Sequence, residues 1–239
     1  MGRKHPNNKE PKGIEHNSGG ENMNSLQTLL SKFDKRWLGA GAAAAGAAVA
    51  TQATEAAIVH TPNANINIPS TTAGIYLNVV TGVFSTAPAS APGWDVNPWS
   101  SSTLSYFNPS APSGGVYVLR VGGGAVGNLP IGTTIGPTPG GGRTYGSGSA
   151  QVTGNDPHIL NSDQNCIGFR FQNEANQNQI HYGWMRISLA GALNGQPRTI
   201  TEYAYESVAG AEIGCGIVPE PSTLALLALG AVGLIRRRK

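Results

Sequence analysis

The sequence predicts an all-β fold, an antiparallel β-sandwich of jelly-roll-like character with Gly-rich loops, flanked by an N-terminal signal helix and a short C-terminal transmembrane helix. Three observations predict the β class. Runs between residues 57 and 216 alternate apolar with polar residues or are enriched in β-branched and aromatic types. Clusters of Gly, Pro, Asn and Ser separate those runs. No stretch of the same region keeps a helical period for ten residues.

Composition bounds the function. The chain has 239 residues, of which 12% are charged, well under the ~25% of ordinary soluble domains. Its 33 Gly and 16 Pro are many, and 39% apolar content suffices for one modest core. The net charge of +3 misleads, because the basic residues sit at the two ends. Between residues 57 and 218 there are five arginines, no lysine and seven acids, a balance of −2. The pI of about 9.0 therefore reports the terminal segments, and a nucleic-acid partner has no electrostatic support in the centre.

The elements follow in chain order. Residues 1–22 are polar and aperiodic. Lys32, Lys35 and Arg36 then form a positive region ahead of thirteen small apolar residues, Leu38–Ala50, and the small residues around Ala53–Ala56 suit signal peptidase. This is the layout of a secretory signal peptide, too short to span a bilayer. Cleavage is expected near Ala56–Ala57, and Met23 is a candidate true start. Residues 1–56 are thus read as leader and signal peptide, 57–216 as the exported β-domain and 217–239 as a sorting tail.

Within the β-domain the expected strands are Ala57–His60, Gly74–Val80, Ser102–Phe107, Gly115–Val121, Cys166–Gln172, Gln179–Leu189 and Thr199–Glu206. Cys166–Gln172 and Gln179–Leu189 form the firmest hairpin, with the polar loop "NEANQNQ", and Thr199–Glu206 should pair beside it. Alternation puts Tyr182 and Trp184 on one face and His181, Met185 and Ile187 on the other. The Gly-rich section Gly122–Gly154 is expected to be loops.

The tail reads "VPEPSTLALLALGAVGLIRRRK". Leu224–Ile235 is twelve apolar residues, roughly 18 Å of helix against a hydrocarbon core of ~30 Å. Arg236, Arg237, Arg238 and Lys239 should stay cytoplasmic. The order of Val218-Pro219-Glu220-Pro221-Ser222, apolar segment and basic cluster resembles the PEP-CTERM sorting signal of Gram-negative bacteria. The resemblance implies that exosortase recognises Pro219, Glu220 and Pro221 as substrate, after transient anchoring in the inner membrane, and delivers the domain to the cell surface or extracellular matrix. A second stretch, "IGFRFQNEANQNQIHYGWMRISL" followed by "ITEYAYESVAGAEIGCG", is similar to the final strands of PEP-CTERM surface proteins. That resemblance implies an exported β-domain and nothing catalytic. Exopolysaccharide is a candidate partner of the delivered domain.

Motifs that could carry chemistry are weak. Gly122-x-Gly124-x-x-Gly127 follows "VYVLRV", but Asn128-Leu129-Pro130 follows instead of a helix and no acid lies near enough for a ribose. Asp156, Asp163, Asn155, Asn161 and Asn165 collect hard oxygens without an EF-hand pattern; turn formation is the plainer reading. His60, His158 and His181 have no metal-ligand spacing, no cofactor or metal is expected, and "GSGSA" at 146–150 is no nucleophile elbow. Glu202 and Glu206 share a strand face at about 13 Å, too far apart for glycoside hydrolysis, and read as a solvated face. Trp94 and Trp99 in "GWDVNPW" are candidate glycan contacts, or else loop anchors on the core. Cys166 and Cys215 are the two cysteines; in an oxidising compartment they form a disulfide or stay two unrelated buried thiols. The expected function is a non-enzymatic surface or matrix protein. The alternatives are a carbohydrate-binding module and a secreted polysaccharide hydrolase.

Overall fold

The computed structural model describes residues 57–218. The expected signal peptide, the Pro-Glu-Pro triplet and the apolar tail segment lie outside the described residues. Among the described residues, no helix is long and apolar enough to cross a membrane.

Fourteen strands occur in the described residues: β1 (Ile58–Thr61), β2 (Ile66–Asn67), β3 (Tyr76–Leu77), β4 (Phe84–Ser85), β5 (Asn97–Trp99), β6 (Ser105–Phe107), β7 (Tyr117–Val118), β8 (Thr134–Ile135), β9 (Tyr145–Gly146), β10 (Gly148–Ser149), β11 (Ser162–Asn173), β12 (Gln179–Leu189), β13 (Thr199–Glu206) and β14 (Ile213–Gly214). The pairing is antiparallel, in one seven-stranded sheet ordered β1-β13-β12-β11-β7-β9 with β2 on β13, a three-stranded sheet β10-β6-β5, and two ribbons, β14-β8 and β3-β4.

The three long strands are those whose sequence alternates most clearly. β11 pairs β12 from Asn173↔Gln179 to Asn165↔Ile187, and β13 pairs β12 on its other side. Their loop folds as a 3-10 turn, Glu174–Asn176, capped by the Asn173 side chain, which accepts from the Ala175 amide at 3.0 Å. Gln177 and Asn178 then take φ of 55° and 57°, a conformation that Asn tolerates better than most residues. Gly183 sits opposite Phe169; a Cβ there would come within 2.7 Å of both the Phe169 ring and the Ala204 carbonyl oxygen. Its bare backbone lets that ring lie across the sheet.

The expected division of faces holds. Met185, Ile187 and Leu189 enter one core cluster with Phe169, Phe171, Tyr203 and Ile200. Tyr182 and Trp184 enter another with Val118, Ile135, Ile213 and Cys215. The first core includes Leu77, Val96 and Tyr106 from the smaller sheets, and the second is closed by β8 and β14. Each fully buried Leu, Ile or Phe contributes about 1.5–3 kcal/mol. A bulge where Arg186 faces Glu202 while Ile187 faces Ile200 leaves Thr201 unpaired in the ladder. It turns Ile200 into the first core and Glu202 toward Arg186.

Three expected strands are shorter than their sequence suggests. Gly74–Val80 shrinks to β3, because the Asn78 side-chain oxygen accepts from the amides of Val80 and Thr81 and starts a turn. Gly115–Val121 shrinks to β7, because Gly115 has φ +92° and Arg120 already enters the turn toward Ala125. Ser102–Phe107 begins only at Ser105, since Ser100 Oγ accepts from the amides of Ser102 and Thr103 at 3.4 Å. The Gly-rich section is mostly loop, as expected, with β8, β9 and β10 as two-residue strands inside it.

Arg198 is completely buried and ties the loops at one end of the domain. Its five N–H donors reach five carbonyl oxygens: Nε to Ile68, Nη1 to Thr103 and Leu193, and Nη2 to Pro69 and Ser100, at 2.7–3.0 Å. Among the described residues no carboxylate pairs with it; carbonyl dipoles solvate the cation, and burial pulls its pKa below the ordinary value.

Candidate functional site

The site forms where the "GWDVNPW" loop meets the tip of the β11–β12 hairpin. Asn78, almost fully buried, fixes the loop by donating from Nδ2 to the Pro92 and Gly93 carbonyl oxygens at 3.0 and 2.8 Å. Gly93 takes φ +65°, and a Cβ on it would stand 2.9 Å from Glu174 Oε1. Glycine is therefore needed both for the turn and for the close approach of the hairpin. Beyond it, Asp95 and Val96 donate their amides to the Leu77 carbonyl oxygen, which locks the segment onto β3.

These constraints build a pocket of about 220 Å³ lined by Gly93–Asp95, Pro109–Ala111, Gln172 and Glu174. Trp94 is half-buried. Tyr76 meets it edge-on at 4.9 Å and Phe107 stacks at 6.2 Å. Phe107 is itself 54% exposed, so the aromatic group reaches the surface. Asp95, 3% exposed, accepts from the Val79 amide through Oδ2 at 2.8 Å; its Oδ1 has no protein partner among the described residues. Burial raises the Asp95 pKa from 3.8 to about 8; the Val79 bond opposes this and the nearby Glu174 charge adds to it. The shift favours the neutral acid, which can donate as well as accept. A second hollow of about 310 Å³ adjoins the first through Gly93 and Glu174.

Trp99 is not part of this site: it is half-buried at the end of β5, and no ring contact joins it to Trp94. Of the two tryptophans singled out by sequence, only Trp94 lines the pocket. Sequence reasoning missed Asp95 and Glu174 as site residues. The available signal was Asp95 itself, an acid between Trp94 and Val96 with no other acid until Asp156.

Most of the other polar residues singled out by sequence are committed to the fold, though Asp163 is exposed. Asp156 forms a bidentate pair with Arg143 at 2.7 and 2.8 Å and accepts from the Val121 amide. Burial works to raise its pKa, but those bonds outweigh it and hold the carboxyl low. Asn165 is fully buried and bridges Ile159 and Ile187. Asn155 donates to Val121, and Asp163 accepts from Gln164. Gly122, Gly123 and Gly124 form the turn of a small hairpin closed by Leu119↔Val126, with no helix after it. Ser149 lies on β10, its hydroxyl 2.9 Å from that of Ser105.

His181 is fully buried; Nδ1 donates to the Glu206 carbonyl oxygen at 2.8 Å, which leaves Nε2 to accept from Asn176 at 3.1 Å. His158 contacts the Tyr106 hydroxyl at 2.9 Å, and burial lowers its pKa to about 4. His60 and Arg186 both bind Glu202, at 2.8 and 2.6 Å. Burial acts to raise the Glu202 pKa, but these partners hold it below the ordinary value. Glu202 is partly exposed, whereas Glu206 is 2% exposed. The solvated face expected for both therefore fails at Glu206, whose Oε1 is wrapped by the Val208 amide at 3.0 Å.

Cys166 and Cys215 form a disulfide, with their Cα atoms 6.3 Å apart. It joins β11 to the residues just after β14, and Gly216, Ile217 and Val218 follow. Ile217 and Val218 are exposed.

A family model described as the PEP-CTERM protein-sorting motif matches residues 218–239. The motif indicates export and exosortase-dependent sorting to the cell surface, of a kind typical of Gram-negative bacteria. No curated protein matches the chain, and no solved structure does.

Proposed function

We propose that this chain is a non-enzymatic surface or extracellular-matrix protein. Its 57–216 domain is the delivered cargo; signal peptidase removes the leader, and exosortase acts at Pro219–Pro221 after transient anchoring in the inner membrane by 224–239. The sorting motif at 218–239 carries the reading. The disulfide between Cys166 and Cys215 is in keeping with an oxidising compartment. The cargo is proposed as a jelly-roll-like sandwich in which β5, β6 and β10 supply the second layer over the core that also holds Phe169 and Met185.

The test is cell fractionation with the doubly substituted Pro219→Ala/Glu220→Ala chain. The expected outcome is retention in the membrane fraction at an unprocessed mass, while the wild type is shortened and reaches the surface. Arrival of the substituted chain at the surface, with the processed mass of the wild type, would remove the tail from the account.

A further inference from the structure

The pocket beside Trp94 combines features that the sorting of the chain does not explain. Asp95 is nearly sealed from solvent yet lines the pocket with one carboxyl oxygen uncommitted. That oxygen opens into the pocket, so a molecule entering it meets a carboxyl group beside an aromatic face. Trp94 adds an apolar ring held by Tyr76 and Phe107. Gln172 and Glu174 add an amide and an exposed carboxylate on the hairpin side.

The chemistry selects the ligand. Neither this pocket nor the adjoining hollow is lined by Arg, Lys or His, so an anionic ligand would meet two acids and no cation. Among the described residues no three His, Cys, Asp or Glu side chains come together as metal ligands. A sugar ring matches what is present: its C–H face packs on an aromatic ring, and its hydroxyls both donate and accept at carboxyl and amide groups. At about 220 Å³ the pocket is smaller than the ~300–1,000 Å³ of drug-sized sites and fits a single ring. The second hollow, which shares Gly93 and Glu174 with the first, gives a linked neighbour a place.

We propose that this pocket binds a neutral oligosaccharide, with Trp94 as the stacking surface, Asp95 and Glu174 reading hydroxyls, and adjacent sugar units in the two hollows. The inference builds on the surface-protein reading for where such a glycan is met. The two fail separately, since fractionation tests the address and titration tests the pocket.

The experiment titrates the full-length chain in detergent with cellohexaose, xylohexaose, mannohexaose and maltohexaose, and with calcium chloride and tetramethylammonium chloride as cation probes. At least one hexasaccharide should bind, more tightly than its monosaccharide. Trp94→Ala should weaken binding about tenfold, in line with the loss of an aromatic stack. Trp99→Ala should leave it unchanged. Glu174→Arg, a change at an exposed turn residue, should abolish it by filling the junction between the hollows, and decides the matter should Trp94→Ala misfold. Absence of saccharide binding, binding indifferent to Glu174→Arg, or binding of the cation probes alone would overturn the proposal. Release of reducing ends from a bound hexasaccharide would overturn it too, as a binding site without catalysis.

Discussion

Arg198 and Asp95 are both ionisable side chains buried in one domain, and their surroundings treat them oppositely. Around Arg198, three loops turn five carbonyl oxygens inward and every N–H of the guanidinium is used. Around Asp95, the backbone supplies one donor, the Val79 amide, and the rest of the carboxyl faces a pocket. The first is architecture: the cation is the hub on which the loops close. The second is held in place by Asn78 and β3 but left incomplete. The guanidinium spends every donor on the fold, whereas the carboxyl spends one oxygen on the fold and leaves the other to whatever enters the pocket.

Substitution separates the two roles. Arg198→Met should have the largest effect, about 3–5 kcal/mol of lost stability, because five carbonyls, two of them on buried residues, lose their donor. Urea unfolding measures it, and the loss should be alike at pH 5 and pH 8. Arg198→Lys, with three donors at most, should fall in between. A cost under about 1 kcal/mol for Arg198→Met would mean that the loops close without their hub.

Asp95→Asn should act in the other direction. The folded-state pKa of Asp95 is raised from 3.8 to about 8, so its contribution is fully favourable below pH 4 and is lost as pH rises toward 8. Asparagine keeps an acceptor for Val79 without the charge. The variant should gain roughly 2–3 kcal/mol over wild type at pH 8, within the ceiling of ~1.4 kcal/mol per pH unit, and nothing at pH 3.5. Thermal melts across pH 3.5–8.5 read this directly; parallel curves for the two proteins would show an ordinary, solvated carboxyl.

His158 gives the smallest effect and sharpens the sign. Its pKa is lowered from 6.5 to about 4, so its contribution is present above pH 6.5 and is lost as pH falls toward 4. In wild type this opposes the Asp95 trend. In an Asp95→Asn background, His158→Gln should flatten the remaining acid limb by about 1–2 kcal/mol at pH 4.5, with the side-chain amide standing in for Nε2 against Tyr106. An acid limb that survives His158→Gln belongs to another group.

Local pattern made the long strands legible. Gln179–Leu189 and Thr199–Glu206 have the bounds that alternation suggests, and the division of Trp184 from Met185 follows from strand geometry alone. β11 begins earlier than expected, at Ser162, because its first residues are polar and out of alternation. Asn165 mends that stretch by bonding with its side chain to both the amide and the carbonyl of Ile159. The two-residue strands were not legible, since nothing in Thr134–Ile135 or Ile213–Gly214 distinguishes them from loop until each meets the other. The candidate site was half legible. Trp94 drew attention as an aromatic beside Gly and Pro, but Glu174 lies 79 residues from Asp95 in the chain, and only the fold brings the hairpin tip to it.

The disulfide has a mechanical meaning. β14 is two residues long and pairs only with β8, a contact that a tug on the chain beyond Val218 would peel open one hydrogen bond at a time. Cys215 intercepts that tug three residues inward and passes it to Cys166 on β11, an interior strand of the seven-stranded sheet. There the load meets the long ladder between β11 and β12. A pull through the tail proposed as the anchor would therefore reach the domain at β11 and not at β14 alone.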